Sequence, residues 1–166
     1  MNALFDEWLK LAEHIGTVCI AQKRVIAGAE SCTGGLIAAV LTSVSGSSVW
    51  VDRGFVTYSN EAKMQMLGVD SATLQAFGAV SEETAREMAT GALKNSRATM
   101  AYSVTGVAGP TGGTETKPIG MVCVGFATKY DVTSATKLFQ GDRSAVREQS
   151  VNFVLATLAR ATIQSL

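Results

Sequence analysis

Three strand-like apolar segments separated by helix-patterned stretches, with two more strands back to back after them, leave this chain few possible folds. Arg24 to Ala29 is short and apolar, reads as a buried strand, and ends at Glu30-Ser31. Val49 to Tyr58 carries the β-branched and aromatic residues that suit a pleated sheet. Met100 to Val104 is the third segment, and it runs into a loop rich in Gly, Pro and Thr from Thr105 to Pro118. Met121–Thr128 and Thr133–Phe139 follow, joined only by Lys129 to Val132, so they are expected to pair as an antiparallel hairpin.

The stretches between these strands repeat at helical spacing. Leu4, Trp8, Leu11, Ile15, Val18 and Cys19 form one apolar stripe from Ala3 to Gln22. Leu36 to Val44 is apolar almost all round, which predicts a buried helix. Asn60 is expected to cap a short helix holding Lys63, Met64 and Leu67, which Gly68 ends. Ser81 caps the next, with Glu82 and Glu83 in its first turn and Ala85, Met88, Ala89, Ala92 and Leu93 facing inward. The last helix starts near Asp142 and turns Val151, Val154, Leu155 and Leu158 to the core. No linker or repeat interrupts residues 1–166. The expectation is one α/β domain: a three-layer α/β/α sandwich around a mixed five-stranded sheet with one antiparallel strand.

Composition removes several classes of function. Fourteen basic residues balance fourteen acidic ones, and no Lys/Arg run exceeds Lys23-Arg24, which argues against a nucleic-acid partner. No apolar stretch reaches the roughly 20 residues of a membrane helix, so no membrane partner is expected. The acidic, amphipathic start is unlike a signal peptide. Cys19, Cys32 and Cys123 are odd in number and widely spaced, forming neither a disulfide framework nor a metal motif. A reducing, cytoplasmic location fits.

In sheets of this kind ligands bind beyond the carboxyl ends of the parallel strands. Three segments meet that condition: Glu30 to Gly35, Tyr58 to Lys63, and Thr105 to Thr114. Ser31 precedes a Thr33-Gly34-Gly35 turn at a helix start, where unpaired N–H groups favour a phosphate or a developing oxyanion. A plain helix cap with tight packing behind it is the competing account.

A nucleophilic serine needs a base. The sole histidine, His14, falls on the polar side of the first helix, so a Ser-His-Asp triad is not expected. A desolvated lysine can serve if its pKa falls from about 10.4 towards 7–8, a drop worth roughly 4 kcal/mol. Lys63 lies in the right segment; Lys94, Lys129 and Lys137 do not. Arg143 and Arg147 stand near the amino end of the last helix, where cations are disfavoured. An anion should offset them: a substrate phosphate, or a carboxylate such as Asp142 or Glu148.

Four blocks in order carry a resemblance. They are Ala29 to Gly35, Thr57 to Lys63, Gly78 to Ser81, and Thr105 to Pro110. Together they resemble the CinA carboxyl-terminal-domain family, across nearly the whole chain. The family includes amidohydrolases that convert nicotinamide mononucleotide to nicotinate mononucleotide and ammonia, on a three-layer α/β/α fold. The resemblance implies Ser31 as nucleophile, Lys63 as base, and Tyr58 and Thr105 as groups orienting the dyad or the carboxamide. It implies substrate contacts from Glu30, Thr33, Gly34, Gly35, Gly106, Gly109 and Arg143, the phosphate resting on arginine. It implies a small-molecule nucleotide substrate, no metal, no cofactor, and self-association, for which Trp50 or Phe77 is a candidate. Many relatives carry a further amino-terminal domain, and the stand-alone form is the expectation here. Three other readings compete: a nucleotide-binding regulator without turnover, a serine esterase or peptidase with a lysine base, and Cys32 as the nucleophile.

Overall fold

A computed structural model describes residues 3–163. In chain order the elements are α1 (Ala3–Ala21), β1 (Ile26–Glu30), α2 (Leu36–Thr42), a short 3₁₀ turn (Ser47–Val49), β2 (Val51–Val56), α3 (Asn60–Leu67), α4 (Ser71–Phe77), α5 (Glu82–Lys94), β3 (Met100–Gly106), β4 (Met121–Thr128), β5 (Val132–Leu138) and α6 (Arg143–Ile163). The five strands form one sheet in the order β2-β1-β3-β4-β5. β1 pairs in parallel with β2 and β3, while β4 runs antiparallel to both β3 and β5. β4 is therefore the single strand pointing the other way.

The sheet has helices on both faces. On one side α1, α2 and α6 bury Trp8, Ile15, Ile37, Leu41, Leu155 and Leu158 against it. On the other, α5 packs Met88 and Ala92 with Leu67, Val69 and Ala101. The inward faces expected of α5 and α6 are largely where the periodicity put them: Ala85, Met88, Ala89, Ala92, Val151, Val154, Leu155 and Leu158 are all buried. Burying a side chain of leucine size contributes about 1.5–3 kcal/mol, so these faces dominate the stability of the helical layers.

Four local expectations need correction. Ser59, not Asn60, caps α3, because its hydroxyl accepts the Ala62 N–H at 3.0 Å. The Gly68–Ser81 interval holds α4, whose start is fixed by Asp70 accepting from the Ala72 N–H; its residues are half-buried or exposed, so no apolar stripe announced it. α2 is not buried all round: Ala39 and Thr42 face solvent, and small alanines rather than burial account for its apolar look. Trp50 is 1% exposed and packs over Gly16, where an added Cβ would meet the indole at 2.7 Å. It belongs to the core and is no interface residue.

The chain leaves β1 to build β2 on one flank and then crosses to build β3 on the other. That reversal opens a crevice beyond the carboxyl end of β1, where a ligand has access to three loops at once. Ser31 stands at that point.

Candidate active site

β1 delivers Ser31 to the crevice with no intervening turn, and the Ser31 N–H is still tied to the Val104 carbonyl of β3 at 2.9 Å. Lys63 arrives from the other flank, on the first turn of α3, whose capped start follows β2. Its Nζ lies 3.2 Å from Ser31 Oγ and donates to the Thr57 carbonyl at 3.0 Å. The lysine is 2% exposed and the serine 8%. Among the described residues no carboxylate pairs with Lys63. Burial therefore pulls its pKa below the ordinary amine value, opposed by a smaller influence from Cys32. A neutral amine beside a hydroxyl can accept its proton.

Ser31, Cys32, Tyr58, Lys63, Thr105 and Arg143 are among the lining of a cavity of about 300 Å³ over this pair. The CinA C-terminal domain model matches residues 9–162. The chain belongs to that family. Nicotinamide-nucleotide amidohydrolase PncC of Escherichia coli is 49% identical over 161 residues, covering 96% of this chain and 98% of that protein. A putative competence-damage inducible protein of Caldicellulosiruptor saccharolyticus is 54% identical over 98% of this chain, but only 41% of that longer protein is matched. Among solved structures, a competence/damage inducible protein from Agrobacterium tumefaciens superposes with a TM-score of 0.88 at 46% identity, covering 91% of this chain and 93% of the other. A CinA superfamily protein from Klebsiella pneumoniae gives 0.90 at 35% identity, over 95% and 98%.

Within this CinA domain the expected site residues separate into two sets. Tyr58, Thr105, Gly106 and Arg143 line the cavity with Ser31 and Lys63. The Tyr58 hydroxyl, however, accepts from Arg143 Nη2 at 3.1 Å and the Thr105 hydroxyl donates to the Ala79 carbonyl at 2.9 Å, so neither bonds to the dyad. Arg143 Nη1 reaches the Gly109 carbonyl at 3.0 Å, which ties two loops together across the mouth. Gly109 does not line the cavity and is joined to it through Arg143. Beyond Arg143 and Ala108 lies a second cavity of about 490 Å³.

Glu30, Thr33 and Gly35 are not among the residues that line the cavity over Ser31 and Lys63. Glu30 is 1% exposed, and its carboxylate accepts from the Thr33 hydroxyl at 2.6 Å and from the Gly35, Ile37 and Ala38 N–H groups at 3.0, 3.2 and 2.8 Å. The Tyr102 hydroxyl donates a fifth bond at 3.1 Å. Its ring crosses β1 only because Gly28 has no side chain: an added Cβ would stand 2.1 Å from the phenol carbon. Glu30 is therefore the cap of α2, supplied from the preceding strand, and the favourable place for a carboxylate at a helix amino end is already filled. A carboxylate at the end of a buried strand must find partners, and that was the available signal. Gly34 has φ +61° and Gly35 φ +98°, backbone that disfavours any side chain.

The arginines differ from expectation too. Among the described residues neither Arg143 nor Arg147 pairs with a carboxylate; Asp142 instead accepts the Ala145 N–H of α6 at 2.9 Å. Arg147 turns inward and donates to the Cys32 and Thr33 carbonyls at 3.1 and 3.3 Å. Cys32 is a poor nucleophile here, since burial pushes its thiol up to about 11. His14 is exposed on α1, away from the cavity.

Proposed function

We propose that this protein is an amidohydrolase that cleaves the carboxamide of nicotinamide mononucleotide, giving nicotinate mononucleotide and ammonia. The observation that carries the reading is the 3.2 Å approach of a buried, unpaired lysine amine to Ser31 Oγ at the edge of a cavity. The 49% identity to a nicotinamide-nucleotide amidohydrolase supports the substrate.

Neutral Lys63 takes the Ser31 proton as Oγ bonds to the carboxamide carbon, and the carbonyl π electrons move onto its oxygen. Burial lowers the amine's pKa and so favours the neutral form this step uses, and Nζ lies 3.2 Å from the oxygen whose proton it takes. When the tetrahedral adduct collapses, the C–N bond breaks and the Lys63 ammonium hydrogen passes to the nitrogen, which leaves as ammonia. Water then adds to the Ser31 ester, Lys63 accepts a water proton, and Ser31 Oγ recovers one as the acid departs. The amides of Gly35, Ile37 and Ala38 cannot hold the oxyanion, since Glu30 occupies them. That role passes to Cys32 and Thr33. Arg143, exposed at the cavity mouth, is the residue for the nucleotide phosphate. The protein is further read as a single domain, cytoplasmic and self-associating, in keeping with its family and its three free thiols.

Ammonia release from nicotinamide mononucleotide by purified protein tests the reading. Ser31→Ala and Lys63→Ala should each lower kcat by about 10³-fold or more while nucleotide still binds by calorimetry. Wild-type turnover in both variants would sink the mechanism. Tight binding with no ammonia from wild type would favour a regulator instead.

A further inference from the structure

In the turn that carries Ser31 the first three carbonyls are engaged, but two amides are left over. The Ser31 carbonyl accepts the Gly34 N–H at 3.0 Å, the Cys32 carbonyl accepts Arg147 Nε at 3.1 Å, and the Thr33 carbonyl accepts both Arg147 Nη2 at 3.3 Å and the Leu36 N–H at 3.1 Å. The Gly35, Ile37 and Ala38 amides go to Glu30. Among the described residues the Cys32 N–H meets only its own thiol and the Thr33 N–H meets no acceptor, so both are open to a ligand.

A trans peptide points its carbonyl and the following N–H in opposite directions. With the Cys32 carbonyl held by Arg147, the Thr33 N–H must face away from α6. With the Ser31 carbonyl held by Gly34, the Cys32 N–H must face away from that amide. Both free donors therefore sit on the side of the turn opposite the groups that clamp it, and both belong to the two residues following the nucleophile. Ser31 and Cys32 line the cavity, whereas Arg147 does not.

We propose that Arg147 is the positioning residue of the oxyanion site: by holding back the Cys32 carbonyl it aims the Thr33 N–H, and by holding back the Thr33 carbonyl it keeps the Gly34 N–H on the Ser31 carbonyl and so the Cys32 N–H in place, both donors facing the anion formed on the Ser31 adduct. The inference rests on the acyl-transfer reading above. A clamp is needed because Gly34, at φ +61°, lets the turn rotate its peptides at little cost. Any such rotation would present a carbonyl oxygen where the anion must form. Guanidinium suits the task, since its planar fork meets two successive carbonyls from one side, which a lysine ammonium cannot match. It also brings a positive charge, unpaired with any described carboxylate, beneath the turn. Arg143, one helical turn earlier on α6, is exposed and faces the cavity mouth, so the two arginines have separate duties.

Steady-state ammonia release by full-length Arg147→Ala, Arg147→Lys and Arg143→Ala proteins tests this. Arg147→Ala should lower kcat about 10- to 100-fold, with KM within about threefold, by analogy with loss of an oxyanion donor. Arg147→Lys should recover little of that loss, and added guanidinium ion should restore part of the Arg147→Ala rate. Arg143→Ala should instead raise KM. Unchanged kcat in Arg147→Ala, or a loss confined to KM, overturns the proposal, the latter making Arg147 a substrate anchor. Should Arg147→Ala fail to fold, Arg147→Gln carries the same test, since it retains at most a weak donor and the same kcat-against-KM split decides. A wild-type protein that releases no ammonia sinks the functional reading along with this one. An active wild type with an unimpaired Arg147→Ala removes this one alone.

Discussion

Two glycine-rich segments face each other across the crevice, and they are built on opposite principles. The Ser31–Gly35 turn is held from inside: Glu30 collects five donors, Arg147 grips two carbonyls, and Thr33 is fully buried. The loop from Val107 to Gly120 is mostly exposed and held at scattered points. Its ties include Val107 to Met121, Thr114 to Lys117, the Gly109 carbonyl to Arg143, and the Lys117 ammonium to the Phe77 carbonyl. The difference teaches where rigidity is placed. Acyl transfer requires a nucleophile and base within hydrogen-bond reach, whereas a loop at the rim can adapt to a ligand without disturbing them.

The largest way to break this contrast is to remove the buried carboxylate. Glu30→Ala leaves three backbone amides and the Tyr102 hydroxyl unpaired in the interior, which should cost about 3 kcal/mol or more of unfolding free energy. Urea denaturation measures it, and a loss below about 1 kcal/mol would show that the turn does not depend on its internal anchor.

A second break concerns charge. Lys63 is buried with a lowered pKa; if its neutral form is the base, as proposed, log kcat/KM should fall by one for each pH unit below that pKa. The linkage has the same sign. The unfolded chain binds more protons between the lowered folded pKa and the ordinary value near 10.5, so this group adds stability as pH rises through that window. Lys117→Met in the rim loop should leave the acid limb where it is. An acid limb that moves with Lys117 would assign the titration to the wrong region.

The smallest expected effect tests the rim itself. Gly109 has φ +82°, and an added Cβ would stand 2.7 Å from Ile119 Cγ2. Gly109→Ala should cost about 1–2 kcal/mol and raise KM several-fold through the shifted Arg143 anchor, with kcat within about twofold. A large drop in kcat would mean the rim loop shares the rigidity of the Ser31 turn.

Much of this was legible before any coordinates. Apolar runs, helical spacing and capping residues placed all five strands and five of the six helices, because these signals are local to each element. The four resembling blocks singled out Ser31 and Lys63, which the fold then brings to 3.2 Å. What stayed hidden depends on partners distant in sequence. Glu30 looked like a loop residue at a substrate site, yet its role needs Tyr102, 72 positions away, and a turn that folds the next helix back onto it.

The sequence by itself determined the order of the strands and of every helix but α4, most of the apolar faces, the crevice loops and the choice of Ser31 and Lys63, since each is written in local pattern or in blocks of matching residues. Only the tertiary structure decided which arginine faces the cavity, that Trp50 is core, and which peptide donors remain free beside Ser31. The physical reason is that charge and hydrogen-bonding capacity are local properties of a residue, whereas the group that satisfies them is chosen by packing across the whole fold.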